Sequence, residues 1–270
     1  MNFLLGAFDP IAISLGPIDV RWYGAIIAFG IVLAFLVAQR EMLKRGFHEE
    51  FLTDLLIWAV PLAILGARLY YVIFKWEYYS ENPGDILQVW EGGLAIHGAL
   101  IASFVTAYVF TKKRKVSFLK LADVVAPSIL IGQTIGRWGN FMNQEAHGGP
   151  VSRAFLENMF LPDWIIEQMR IDGTYYHPTF LYESIWNFMG VVILILLRRV
   201  NLLRGEMFLF YLIWYSVGRF FIEGLRTDSL YLLGELRTAQ VVSLITVVVA
   251  LLIVVYRRMT IKDPVRYKDA

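Results

Sequence analysis

The chain of 270 residues contains no cysteine, and charged residues make up only 18% of it. The lack of cysteine excludes a disulfide scaffold, a thiolate metal site and a cysteine nucleophile, so thioester or thioether chemistry would need a sulfur from the substrate. The four histidines are scattered, and neither an HExxH motif nor a G-x-x-x-x-G-K loop occurs, so we expect no metal and no cofactor. A net charge of only +2 and the lack of low-complexity tracts argue against nucleic-acid partners and against disorder.

Apolar residues are in excess instead, at 57% of the chain, and the mean hydropathy is +0.55. A soluble domain has roughly 45–50% apolar and about 25% charged residues. A core of its own cannot bury this much apolar surface, so we expect the chain to lie in a bilayer. The predicted fold class is an all-α polytopic membrane protein, with residues 1–270 forming a single membrane domain.

Seven segments are apolar enough to be transmembrane helices, each of which needs about 20 mostly apolar residues. The fourth is the least regular, because Asp123, Pro127, Gln133 and Arg137 interrupt it. The predicted spans are Trp22–Ala38, Phe51–Phe74, Leu94–Phe110, Leu119–Trp138, Phe180–Leu197, Glu206–Ile222 and Thr238–Tyr256.

The basic residues predict the orientation of these spans. When the connections are assigned alternately to the two sides, most Lys and Arg residues fall on the side of the first connection and of the C-terminus, which indicates the cytoplasm. The N-terminus is then outside. No cleavable signal peptide is evident, and the first 19 residues are expected to lie at the membrane interface. Residues 139–179 form a long external connection, predicted as a small extracytoplasmic head with a short amphipathic helix on the outer membrane surface.

Charged residues within or beside the spans gather at the predicted outer ends. An Arg at the bilayer centre costs roughly 2.5–3.5 kcal/mol on insertion scales, so each one needs a partner, a wet cavity or a route to the interface. A single such Arg is usually an interfacial anchor, and Glu183 and Glu223 would serve as structural counter-ions. Anchors, however, belong on the cytoplasmic side by the charge rule. We therefore predict an outer site in which several guanidinium groups bind a phosphate, most obviously that of a phospholipid headgroup.

The segment GRWGNFMNQEAHG, from Gly136 to Gly148, resembles the G-R-x-G-N-F-x-N-x-E-x-x-G signature of prolipoprotein diacylglyceryl transferases. All fixed positions of that signature match. Four further pieces are similar to the same family, in order along the chain: RWYG at residues 21–24, GGLAIHGAL around His97, HPTFLYE at residues 177–183 and YSVGRFFIEGLRTD at residues 215–228. The resemblance covers essentially the whole chain.

The resemblance implies a bacterial cytoplasmic-membrane enzyme with its active site towards the outer leaflet. Such an enzyme would move the diacylglyceryl group of phosphatidylglycerol to the thiol of the lipobox cysteine in a prolipoprotein signal peptide. The products would be a thioether and glycerol 1-phosphate, in the first step of lipoprotein maturation. Phosphatidylglycerol, prolipoprotein signal peptides and the bilayer are therefore the predicted partners.

Three residues are predicted to be catalytic. Arg137 and Arg219 would hold the phosphate and stabilise the leaving group, and His97 would be the base, because histidine titrates near neutrality. His177 and His147 are alternative bases, and a base is unnecessary if the bound cations themselves favour the thiolate. The predicted substrate-binding residues, besides Arg137, are Asn140, Tyr23, Glu145, Gly148 and Arg68. Those predicted to support them from behind are Glu183, Glu223, Arg226, Tyr215 and Asn143.

Three other functions fit part of the sequence. An anion channel would use the arginines as a selectivity ring, but no matching charge lines the inner half. An intramembrane serine protease would need a serine and a histidine on different spans at the same depth in the membrane, such as Ser216 and His97. A lipid-binding assembly factor would bind phosphatidylglycerol without forming product. Measuring ion flux and product formation in liposomes separates these alternatives.

Overall fold

The computed structural model describes residues 8–16, 18–233 and 236–269, and most of these residues are helical. The predicted helical class is confirmed. The α-helices of the described residues are α1 Trp22–Lys44, α2 Phe51–Phe74, α3 Trp76–Glu81, α4 Ile96–Lys113, α5 Phe118–Met142, α6 Arg153–Asn158, α7 Asp163–Gln168, α8 Thr179–Leu197, α9 Glu206–Glu223 and α10 Thr238–Thr260.

Within the described residues, five helices are long and apolar enough to cross a membrane: α1, α2, α5, α8 and α10. Their outward apolar side chains suit lipid rather than water, as Phe29 on α1 and Leu252 on α10 show with 62% and 64% exposure. The two other predicted spans form helices of only 18 residues, so that their charged residues fall within the length of a span. Helix α4 ends in two lysines, and α9 contains Glu206, Arg219 and Glu223.

Short antiparallel strands accompany the helices and were not predicted from the sequence. Before α1, β1 (Ile11–Leu15) pairs with β2 (Ile18–Arg21) as a hairpin. The predicted interfacial segment is therefore partly a hairpin, while residues 1–7 and 17 lie outside the described residues. In the segment between α5 and α8, the strands lie in the order β3 (Pro150–Val151), β5 (Thr174–Tyr176), β4 (Arg170–Ile171). After α9, β6 (Tyr231–Leu233) pairs with β7 (Leu236–Arg237).

The predicted amphipathic helix of the head is instead the pair α6 and α7. Phe160, between them, has a positive φ of 56°, which a continuous helix cannot contain. The break divides the apolar residues of this segment, because Leu156 and Ile165 are buried while Phe160 is 94% exposed. Leu156 and Ile165 belong to one core cluster with Phe141 at the end of α5.

The described chain divides into two compact units, one of residues 41–121 and the other of the remaining residues. In the first unit, α2 packs against α4 where Gly66 and Gly98 meet, because a Cβ atom at Gly98 would lie within 3.0 Å of the Gly66 carbonyl group. In the second unit, α5, α8 and α9 share a core that contains Leu130, Leu194 and Met207.

The start of α9 is held by a buried carboxylate of α5. Asp123 is 1% exposed and accepts hydrogen bonds from the backbone N–H groups of Gly205, at 2.5 Å, and Phe208, at 3.0 Å. Backbone N–H groups at a helix N-terminus otherwise have no partner within the helix. This contact explains why the fourth predicted span contains the carboxylate of Asp123.

Candidate active site

A carboxylate near the start of α8 lies between arginines from three other segments of the chain. One oxygen of Glu183 is 2.6 Å from Nε of Arg137, near the end of α5. The other oxygen is 3.0 Å from Nη1 of Arg219 and 3.6 Å from Nη1 of Arg226. With Glu223, these residues form what we call the arginine cluster.

Glu223, the last residue of α9, provides the second carboxylate. It lies 2.6 Å from Nη2 of Arg219, one helical turn earlier, and 3.9 Å from Nε of Arg226. Arg226 in turn forms a two-point ion pair with Asp228, at 2.9 and 2.6 Å. Burial raises the pKa of Asp228, but its hydrogen bond to Arg226 and the charge of that guanidinium outweigh burial and lower this pKa.

The cluster exposes its cations more than its anions. The side chains of Arg137 and Arg219 keep 18% and 19% of their surface exposed, against 5% for Glu183 and 3% for Glu223. The buried carboxylates therefore orient the guanidinium groups from behind and leave part of each accessible. Because Asp228 balances the charge of Arg226, the feature that suits a phosphate is the accessible guanidinium surface of Arg137 and Arg219.

Near the end of α5, a chain of polar side chains extends from the cluster. Nη1 of Arg137 lies 3.4 Å from the side-chain oxygen of Asn140, and the Asn140 amide donates to Glu145 at 2.8 Å. Tyr23 of α1 lies beside this chain, since a Cβ atom at Gly139 would be 3.0 Å from its ring. The structure thus brings together Arg137 and three of the residues predicted to bind substrate.

Gly148 joins the head to the segment that carries Arg226. It forms an antiparallel bridge with Arg226, and its N–H donates to the carbonyl oxygen of His177 at 3.0 Å. A Cβ atom at Gly148 would lie 2.6 Å from the His177 Cβ atom and 3.0 Å from the Leu225 carbonyl oxygen. Only glycine fits this approach without displacing the neighbouring backbone.

The two histidines of the head both have a partner at Nδ1. That atom of His147 lies 3.0 Å from the carbonyl oxygen of Gly148. In His177 it lies 3.2 Å from the Tyr182 hydroxyl group. Hydrogen bonding at Nδ1 orients each ring and leaves Nε2 as the nitrogen for proton transfer.

Arg68 belongs to the unit of residues 41–121, where its side chain holds a loop. It is 6% exposed and donates to the carbonyl oxygens of Asp85 at 2.5 Å, Ile86 at 2.8 Å and Gly92 at 2.8 Å. Its guanidinium carbon also lies 5.2 Å from the centre of the Tyr79 ring. The donors of Arg68 are therefore directed at backbone rather than at an open surface.

The other predicted residues lie on, or directly after, helices that the sequence indicated. His97, in the first turn of α4, is exposed, and its ring centre is 6.0 Å from that of Tyr70 in the same unit. Tyr215 lies one turn before Arg219 on α9 and is partly buried, while Asn143 follows α5 and is exposed. Among the described residues, no group of three or more His, Asp or Glu is arranged as a metal site.

Two residues that support the site were missed. Gln168 is 1% exposed, and its amide donates to the carbonyl oxygens of Phe141 and Met142 at 3.2 and 3.3 Å, which attaches the end of α5 to the head. Arg237 donates to the carbonyl oxygens of Glu223 and Arg226. The available signals were a polar residue within an apolar stretch and an arginine on the side where basic residues are few.

Known proteins that this chain resembles carry the same description. A family model described as prolipoprotein diacylglyceryl transferase matches residues 10–256. A phosphatidylglycerol–prolipoprotein diacylglyceryl transferase of Lysinibacillus sphaericus is 64% identical, covering 100% of this chain and 99% of the relative. Proteins with the same name from Bacillus velezensis and Listeria monocytogenes are 59% and 56% identical, covering 100% and 97% of this chain and 99% and 94% of the relatives.

Proposed function

Because the chain belongs to the prolipoprotein diacylglyceryl transferase family, we propose that it transfers the diacylglyceryl group of phosphatidylglycerol to the cysteine thiol of a prolipoprotein. The acceptor is the lipobox cysteine of the signal peptide, and this is the first step of lipoprotein maturation. The observation that carries the proposal is the arginine cluster, whose accessible guanidinium groups suit the phosphate of the lipid. The cysteine-free chain leaves the sulfur to the substrate.

In the reaction, the cysteine sulfur attacks the carbon of the diacylglyceryl group that is bonded to the phosphate ester oxygen. A carbon–sulfur bond forms, the carbon–oxygen bond breaks with its electron pair going to oxygen, and glycerol 1-phosphate leaves. The thiol proton goes to a base or to the released phosphate. Charge on the phosphate rises as the bond breaks, so cations already in position stabilise the transition state more than the ground state.

The arginines have distinct parts in this proposal. Arg137 and Arg219 contact the phosphate, because they are the accessible cations on either side of Glu183. Arg226 adds charge from the third side and is held by Gly148 and Asp228. Glu183 and Glu223 keep the guanidinium groups from turning away.

The glycerol headgroup lies beside Asn140, Glu145 and Tyr23 in the proposal. The contact of Asn140 with both Arg137 and Glu145 supports this assignment, because it couples the headgroup contacts to the phosphate contact. For Arg68 we propose an indirect contribution to substrate binding, through the loop whose carbonyl groups it binds.

His97 remains the proposed base, with His177 and His147 as alternatives. His97 is exposed and therefore accessible to a substrate thiol. Activation by the arginines alone is the competing mechanism, since cations near a thiol favour its thiolate. No cofactor or metal is part of the proposal.

For topology, we propose seven transmembrane helices in one membrane domain of the bacterial cytoplasmic membrane, with the N-terminus outside and the C-terminus inside. The distribution of basic residues supports this orientation. The cluster would then face the outer leaflet. Single cysteines introduced at Glu157 in the head and at Asn201 between α8 and α9 test it, because only the first should react with an impermeant thiol reagent in intact cells.

The direct test of function uses purified protein in vesicles of phosphatidylglycerol with a lipobox peptide that contains one cysteine. Mass spectrometry should detect the diacylglyceryl adduct and glycerol phosphate together, and a peptide with Cys→Ser should give neither. Lipid binding without adduct would contradict the enzyme proposal. Ion flux without adduct would instead favour a channel.

A further inference from the structure

Two tryptophans on α8 and α9 make reciprocal contacts close to the arginine cluster. The indole N–H of Trp186 donates to the backbone carbonyl oxygen of Trp214 at 2.9 Å, and that of Trp214 donates to the carbonyl oxygen of Trp186 at 2.9 Å. The two rings are stacked, with centroids 4.4 Å apart and planes inclined by 15°.

Each tryptophan also lies against a glycine of the opposite helix. A Cβ atom at Gly218 would be closer than 3.0 Å to the pyrrole ring of Trp186, and a Cβ atom at Gly190 would be 2.5 Å from that of Trp214. On both helices the glycine follows the tryptophan by four residues, which is one turn. We call these four residues the tryptophan clasp.

The clasp permits a single alignment of the two helices. A shift by one residue along either axis moves that helix by about 1.5 Å and turns the side chains by about 100°. Both indole N–H groups would then lose their carbonyl partners, and both rings would meet a side chain in place of a glycine. Stacking alone would tolerate sliding, whereas two hydrogen bonds and two glycine contacts do not.

We propose that the tryptophan clasp is a positioning device that aligns α8 with α9 and thereby sets the distance between Glu183 and Arg219. Glu183 precedes Trp186 by three residues, and Arg219 directly follows Gly218. A displacement of either helix at the clasp therefore changes the distance between Nη1 of Arg219 and the Glu183 carboxylate, which is 3.0 Å. The inference rests on the proposed function, because its main measure is diacylglyceryl transfer.

Gly218→Ala is the first test, with Gly132→Ala as the matched control. The new methyl group at 218 meets the Trp186 ring, whereas a Cβ atom at Gly132 of α5 would lie 3.9 Å from its nearest neighbour, an ordinary contact. Displacing catalytic groups by about 1 Å can cost about 100-fold in rate. We expect Gly218→Ala to lower kcat at least tenfold with a smaller change in KM for phosphatidylglycerol, and Gly132→Ala to stay within twofold.

A second substitution separates positioning from general damage. In Gly218→Ala with Trp186→Ala no ring lies against the new methyl group, but the hydrogen bond to the Trp214 carbonyl oxygen is lost as well, so we expect this double variant to recover part of the lost kcat. Nitroxide labels on cysteines introduced at the exposed positions Ile185 and Phe221 should show a changed distance in Gly218→Ala and a distance closer to the wild-type value in the double variant.

The outcomes distinguish the two proposals. A wild-type kcat in Gly218→Ala, or a lost kcat with an unchanged label distance and no recovery in the double variant, would overturn the clasp inference. If wild-type protein forms no thioether at all, the proposed function fails instead. The label distances then still show whether the clasp sets the alignment of α8 and α9.

Discussion

The carboxylate of Glu183 lies 2.6 Å from Nε of Arg137, a contact that joins α8 to α5 at the centre of the arginine cluster. From the sequence, Glu183 is predicted to be a supporting residue. In the structure it contacts all three arginines of the cluster, at 2.6, 3.0 and 3.6 Å. Glu183 is therefore the residue on which the arrangement of the cations depends.

Glu183→Gln should reduce transfer at least 100-fold, because the amide keeps the size of the side chain but neutralises the charge that orients the guanidinium groups. Removing one partner of a buried ion pair also costs about 3–5 kcal/mol of stability. Turnover with the lipobox peptide and thermal unfolding in detergent measure the two effects. Asp163→Asn, the same type of change at an exposed position of the head, is the control and should stay within twofold.

Gly148→Ala should lower both activity and stability, whereas Gly149→Ala should change neither by much. The first methyl group meets the Cβ atom of His177 and the carbonyl oxygen of Leu225, and the second has nothing within 4 Å. Forcing extra volume into a packed site costs roughly 1–3 kcal/mol. Equal behaviour of the two variants would contradict the assignment of Gly148 as the residue that holds Arg226.

Arg68→Ala should increase amide hydrogen exchange in residues 85–93, because the loop loses the donors that bind its carbonyl groups. Lys75→Ala, at an exposed position after α2, serves as the control. We expect KM for phosphatidylglycerol to rise more than kcat falls. A large loss of kcat without faster exchange would instead indicate that Arg68 contacts the reacting phosphate directly.

His97→Gln separates the two mechanisms of thiol activation. A general base typically contributes 10²–10⁴-fold, and the loss should shrink as the pH rises above about 8.5, where the peptide thiol ionises without help. The pH profile of kcat/KM for wild type and variant measures this. A variant with wild-type activity near neutrality would assign activation to the arginine cluster or to another histidine.

The long helices follow from the sequence, because long apolar runs are visible in one chain, and the charges inside those runs indicate Arg137, Glu183 and Arg219 as candidate site residues. The arrangement of those residues does not follow. The central position of Glu183 depends on the alignment of α5, α8 and α9, and the contact of Trp186 with Gly218 joins residues 32 positions apart. The head contains two short helices because Phe160, between them, has a positive φ, and the apolar pattern of that segment does not indicate this conformation.

Diacylglyceryl transfer by Arg137→Ala tests the central claim most directly, since Arg137 is an accessible cation that also contacts Glu183 and Asn140. The measurement is the yield of peptide adduct and glycerol phosphate from phosphatidylglycerol vesicles, using variant protein shown to be inserted and folded. We predict that the wild type yields both products and the variant neither. Turnover by Arg137→Ala at near the wild-type rate would contradict the account of the arginine cluster as the phosphate site.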